Sequence, residues 1–323
     1  MYRFKNILIV LNEKNNEHAL LRGHRLAKQN DARVTLIRPV GRLEQALETF
    51  KSLSTFGALK SSTLEHHSAE MERVARNWRE DGIEVETRMP PGTPFIEVIH
   101  EVQRAGHDMV IATASESPKK TGSYFESLPL HLIRKCPTPV WVVSPTKRSR
   151  YNQILAAVDP QTFGDEEDSL SILTMDLATS LSRMDASRLH IAHAHNNLVI
   201  EGFQETILKF DGDERRRELK KCVKQAVAKR RAEFDTLMGR YPLNEIDHQI
   251  HFEEGEPDRL ITSIARREEI DVIVMGTVSA GSAYGHWMGS TAENIINEIG
   301  CSVLTVKPEG FVSPIQLPAE LNS

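Results

Sequence analysis

The chain has 323 residues, 40% of them apolar and 26% charged, with a net charge of -5 and a pI near 6.2. That length suits two ordinary domains, each able to bury its own core, and the acidic balance argues against a nucleic-acid scaffold, which carries a basic excess. Cys136, Cys222 and Cys301 form no CxxC pair and no even framework, so reduced thiols are expected; no run of about 18 apolar residues occurs, so no membrane span is expected, and a cytoplasmic location follows as an expectation.

In chain order, Asn6–Leu11 is a short Val/Ile/Leu run that breaks at Asn12. It is too short for the apolar core of a secretory signal and is read as a first strand. Strands follow at about Arg33–Pro39, Ile83–Met89, Asp108–Ala112 and Val140–Ser144, with an amphipathic helix over Leu64–Asp81. The polar segment Pro145-Thr146-Lys147-Arg148-Ser149-Arg150 reads as a linker. The pattern then restarts, with strands at about Gln153–Asp159, Arg188–His195, Asp247–Glu253, Val272–Gly276 and Val303–Lys307, and a helix over Glu214–Arg240. Near-continuous apolar strands are those of a parallel sheet covered on both faces. Alternation of strand and helix predicts a doubly wound α/β fold.

The two halves align with each other. Gly92-Thr93-Pro94 and Gly255-Glu256-Pro257 each open a helix, and Asp108-Met109-Val110-Ile111 then falls without a gap on Asp271-Val272-Ile273-Val274. Proline suits the first helical turn, where its missing N–H leaves nothing unpaired. Asn6–Asn12 matches Gln153–Asp159, and Cys136 with the strand after it matches Cys301 with its strand. Agreement in the same order at four places points to a tandem repeat. The second copy is longer by an insertion around Asn196–Asp213.

The segment MGTVSAGSAYGHWMGSTAENIINEIGCSVLTVKP that closes the second copy, and HLIRKCPTPVWVV that closes the first, resemble the universal stress protein family over about Phe4 to Pro308. The resemblance implies two tandem five-stranded, parallel, doubly wound, Rossmann-like domains packed as a pseudo-dimer, with pairing often through the last strand. The divisions expected are 1–147, 151–310 and a tail at 311–323. It also implies a stress-response protein acting as a ligand-binding or regulatory module. Some members of the family bind ATP or a related nucleotide; others pair as homodimers.

The family's phosphate loop runs Gly, two residues, Gly, nine residues, Gly, then Ser or Thr. Glycines allow backbone N–H groups to approach phosphate, and the helix that follows adds a favourable dipole. By that resemblance Gly276 and Gly289 fit the first and last glycines, and Ser290 and Thr291 follow. Ser279 stands at the middle glycine position. Asp159 fits the carboxylate near ribose and adenine, with Ala157 and Val158 before it. Ala194 fits the adenine-reading backbone position and Met275 the residue before the first glycine. In the first copy Thr113 stands for Gly276 and Asn12 for Asp159, Glu116–Ser123 holds one glycine, and Leu128-Pro129 occupies the helix start. That half is expected to be a structural partner without a phosphate cradle.

Other groupings have plainer readings. His193 and His195 share one strand face, as zinc ligands can, yet spacing fixes no third ligand and no metal is assigned. Asp165–Asp168 are expected to favour a helix N-terminus. Arg215–Arg217 and Lys220, Lys221 and Lys224 interleave with Glu214 and Glu218, as on a solvated helix face. Cys136 and Cys301 are expected to be small buried residues. No P-loop, GxGxxG after the first strand, GxSxG elbow or HExxH is present, and no catalytic residue is assigned. Three readings stand: a nucleotide-binding module, an interaction protein or binder of an amphipathic, lipid-like metabolite (LVIEGFQETILKF and LEQALETFKSLSTFGALK overlying the ligand end), and a weak nucleotide hydrolase. Partners expected are a small molecule and a second or internal copy, not nucleic acid or membrane.

Overall fold

A computed structural model of the chain describes residues 4–12, 15–41, 51, 55–114, 127–145, 150–160, 169–195, 213–277 and 288–318. They divide into two compact units, one chiefly Tyr2–Ser149 with Ser302–Ser323, the other chiefly Arg150–Ala283 with Met288–Cys301. Ten strands and eight α-helices occur among the described residues.

The first unit contains β1 (Asn6–Val10), α1 (Glu17–Asn30), β2 (Arg33–Ile37), α2 (Phe56–Glu80), β3 (Val85–Arg88), α3 (Pro94–Ala105), β4 (Met109–Thr113), α4 (Ser127–Lys135) and β5 (Val140–Val143). The strands lie in the order β3-β2-β1-β4-β5 and are parallel. β1, β4 and β5 are buried along their whole length, as their apolar composition demands when helices cover both faces. α1 comes very close to this sheet: a Cβ on Gly23 would lie 2.2 Å from Cδ1 of Ile9. α3 starts with Pro94 and stops at Gly106, which takes a left-handed conformation and donates its N–H to Val102 O. Gly92, at φ +112°, turns the chain into that helix, and its carbonyl sits where a Cβ on Gly41 would be.

The second unit contains β6 (Gln153–Ala157), α5 (Ser169–Asp185), β7 (Arg188–His195), α6 (Asp213–Met238), β8 (His248–Glu254), α7 (Pro257–Arg267), β9 (Val272–Gly276) and α8 (Ser290–Glu298). Its strands run β9-β6-β7-β8, all parallel. α7 begins with Pro257, as α3 begins with Pro94.

The closing strand of the second repeat, β10 (Ser302–Val306), belongs to the first unit. It pairs antiparallel with β5, placing Leu304 opposite Trp141, and Ser302 Oγ accepts the Ser144 N–H at 3.0 Å. A repeat counted along the chain and a compact unit counted in space are therefore different divisions here. α2 also starts at Phe56 rather than Leu64. Its buried residues are Met71, Ala75 and Trp78, so the early turns show no apolar stripe for a sequence pattern to register. No helix among the described residues is long and apolar enough to cross a membrane.

Candidate functional site

At the carboxyl ends of β6, β7 and β9 the second unit holds a cavity of about 180 Å³. This is the end of a doubly wound sheet where ligands bind. Small residues on the strands create the space. Ala157 ends β6, and Ala192 and Ala194 project from one face of β7, since alternate strand residues share a face. Leu170, Ser171 and Thr174 on the first turns of α5 form one wall, with Pro257 and Ile261 of α7 and Ala292 and Ile295 of α8 forming another. Asp159 is the one charged group in that lining, and no Lys or Arg contributes to it among the described residues.

Of the residues singled out by sequence, Ala157, Val158, Asp159, Ala194, Met275, Gly276, Gly289 and Thr291 all line this cavity. Ser290 is exposed at the first position of α8 and is not part of the wall. Ser279 lies outside the described residues, as do the acidic run 165–168, the insertion 196–212, the loop 115–126 and the linker residues 146–149. Sequence reasoning missed the walls from α5 and α7. Pro257 and Ile261 are four apart, one helical turn, and that spacing was their only visible signal.

Any side chain at Gly276 would have to displace the tip of Leu170. A Cβ there would lie 2.6 Å from Cδ2 and 3.0 Å from Cγ of Leu170. Gly289 has ordinary extended angles, φ -62° and ψ 148°, and is the N-cap of α8. Its N–H donates to Thr277 O at 2.9 Å, pinning the helix start to the end of β9. The first bond inside the helix is Glu293 N–H to Gly289 O, 3.0 Å. Helical geometry thus leaves the N–H groups of Ser290, Thr291 and Ala292 without an intrahelical acceptor. With the helix dipole, they make the cavity rim favourable for an anion. Glu293, in the same turn, opposes an anion there.

The Asp159 carboxylate is 59% exposed and lies 3.6 Å from Nδ1 of the buried His193. That nitrogen donates to Val158 O at 3.1 Å. Burial in apolar surroundings holds the His193 imidazole below its usual pKa. Farther down the sheet His190 and His251 form a second buried pair, Nδ1 to Nε2 at 3.0 Å. His190 Nε2 donates to Gln153 Oε1 at 2.9 Å, and Arg267 Nη2 lies 3.4 Å from His251 Nδ1. Desolvation, reinforced by His251, pushes the His190 pKa down to about 4.

The first repeat is built differently at matching places. Arg38 occupies the position of His193 and is held by Glu70 at 2.8 Å. Asn12 replaces Asp159: its N–H donates to Asn16 Oδ1, and Asn16 Nδ2 returns a bond to Asn12 O. The Asn16 side-chain amide thus closes the strand end where the second repeat presents a carboxylate. Pro129 stands in the first turn of α4, so one N–H is absent there. Cys136 is buried, as expected, with its thiol pKa raised; Cys301 is only half-buried, though desolvation of its thiol raises its pKa to about 12; Cys222 is exposed. No group of three or more His, Cys, Asp or Glu side chains converges among the described residues.

A sequence model described as the universal stress protein family matches residues 3–144 and again 150–307. Universal stress protein E of Escherichia coli K12 is 23% identical over 328 residues, covering 99% of both chains. The Haemophilus influenzae homolog of that protein is 23% identical over 317 residues, 95% of this chain and 98% of its own. Among solved structures, a functionally unknown protein from Pseudomonas aeruginosa PAO1 superposes with a TM-score of 0.68 at 23% identity, covering 95% of this chain and 93% of that one. A universal stress protein from Archaeoglobus fulgidus gives 0.60 at 18% identity, covering 95% and 99%. Those two likenesses establish the fold; the double match of the family establishes that the chain belongs to the universal stress protein family, with two family domains in tandem.

Proposed function

We propose that the protein is a stress-response ligand-binding module whose second repeat holds ATP or a related nucleotide, while the first repeat is a structural partner. The observation that carries this reading is the cavity rim: Gly276, Gly289 and the open N–H groups of α8 stand beside a hollow floored by alanines, with Asp159 at its edge. A base fits the apolar hollow, the carboxylate faces a sugar hydroxyl, and phosphate meets the helix start. Charge neutralisation comes from backbone dipoles and bulk cations, because no Lys or Arg lines the cavity among the described residues.

Isothermal titration with ATP and ADP tests this. Binding is expected in the intact protein and is lost in Gly289→Val, whose branched side chain fills the space beside the helix start. Absence of heat at millimolar nucleotide removes the reading and leaves an interaction protein. Unchanged affinity in the variant places the ligand elsewhere. Leu170, Ile261, Met275 and Ile295 make much of the wall apolar, which favours an amphipathic, lipid-like metabolite as the second reading. Mass spectrometry of small molecules released from the purified protein separates the two. No residue of the site is assigned as a general base; nucleotide turnover that survives Gly289→Val would come from a contaminant.

A further inference from the structure

We infer that His193 and His195 form a second site, a two-imidazole seat for a borderline divalent metal ion such as zinc. They alternate on β7, so both project from the face opposite Ala192 and Ala194. Neither imidazole lines the cavity, although His193 touches its residues Val158 and Asp159, and the site does not rest on nucleotide binding. His193 is 1% exposed and His195 is 8% exposed.

The bonding of His193 fixes its tautomer. Nδ1 carries the proton, because it faces the Val158 carbonyl at 3.1 Å and the Asp159 carboxylate at 3.6 Å. Nε2 is then a bare lone pair, buried and without a hydrogen-bond partner among the described residues. His195 Nδ1 is buried and unpartnered in the same way. Buried polar atoms are almost always satisfied, so two orphaned imidazole nitrogens on one strand face call for a ligand. A neutral imidazole whose other N–H is held by a carbonyl or carboxylate is the form that ligates metal.

Aromatic side chains pack against both imidazoles. Phe252 lies 5.2 Å from the His193 ring and 4.7 Å from the His195 ring, and Phe234 is 5.9 Å from His193. The nearby charges are Asp159, which favours a cation, and Arg230 and Arg231, which oppose one. Arg231 is largely neutralised by Asp235, at 2.9 and 3.1 Å. With two described protein donors, water or an anion completes a tetrahedral set, so the ion is exchangeable.

The test uses the full chain, stripped with chelator, dialysed, and titrated with zinc chloride against a chromophoric chelator. About one equivalent should bind, and His193→Gln and His195→Gln should each weaken it at least about tenfold. His248→Gln, on β8, should leave it unchanged. Cobalt(II) should give a tetrahedral absorption band that disappears in His195→Gln. Far-UV circular dichroism establishes that each variant is folded; should His193→Gln fail to fold, His195→Gln decides alone. Uptake below about one-tenth of an equivalent overturns the inference, as does equal binding by wild type and His195→Gln.

Discussion

Acid should destabilise this protein through His190 in a calculable way. The residue is 1% exposed, and its pKa falls from 6.5 to about 4. Nε2–H bonds Gln153, so Nδ1 is the lone pair that receives the His251 Nε2–H across 3.0 Å. A second proton on His190 would set two N–H groups face to face in a dry interior. Unfolded, the imidazole takes its proton below about pH 6.5; folded, it waits until about 4. Between those values the unfolded chain binds more protons, so stability falls as pH falls through that window. The full shift corresponds to about 3 kcal/mol. Glu268 and Asp247 favour the charged form, and His251 and Arg188 oppose it. Urea unfolding of wild type and His190→Gln, from pH 7 to 4, measures the effect. The variant starts less stable but should lose about 3 kcal/mol less across the range, because glutamine does not titrate. Parallel stability curves for the two proteins would refute the assignment.

Two further predictions concern packing and thiols. Gly23→Ala drives a Cβ into Cδ1 of Ile9 and should cost about 1–3 kcal/mol in urea unfolding; a neutral result would show that the Ile9 methyl swings aside or that α1 lifts off the sheet. Native protein treated with a thiol reagent should react first at exposed Cys222 and more slowly at half-buried Cys301, with Cys136 following only on denaturation, because burial closes off its thiol and desolvation disfavours both of the latter thiolates. Peptide mapping after labelling checks this, and fast native modification of Cys136 would contradict its burial.

Much of the fold was legible because the strands are buried on both faces. Arg188–His195 and Val272–Gly276 have the same limits in sequence pattern and structure, and the Gly-x-Pro repeats locate α3 and α7. The resemblance named eight of the seventeen residues that line the cavity, those that follow strand ends announced by an apolar run or open the last helix. Side walls were not legible: Leu170 and Ile261 reach the cavity through helix packing, which no local pattern encodes. Neither was the His190–His251 pair. Those residues are 61 apart in sequence and meet only because β7 and β8 are parallel neighbours. The orphaned nitrogens of His193 and His195 were equally hidden, because spacing shows a shared face and says nothing of what the tips touch.

The pairing of β5 with β10 has a temporal consequence. Roughly 160 residues separate Val143 from Ser302, so a ribosome needs on the order of 10–30 s to deliver the partner strand. Through that interval the nascent N-terminal half carries an uncapped, wholly apolar margin, the kind of surface that recruits neighbouring strands. Premature termination just before Ser302 would leave it permanently bare, and such fragments should clump in cells or be held by chaperones.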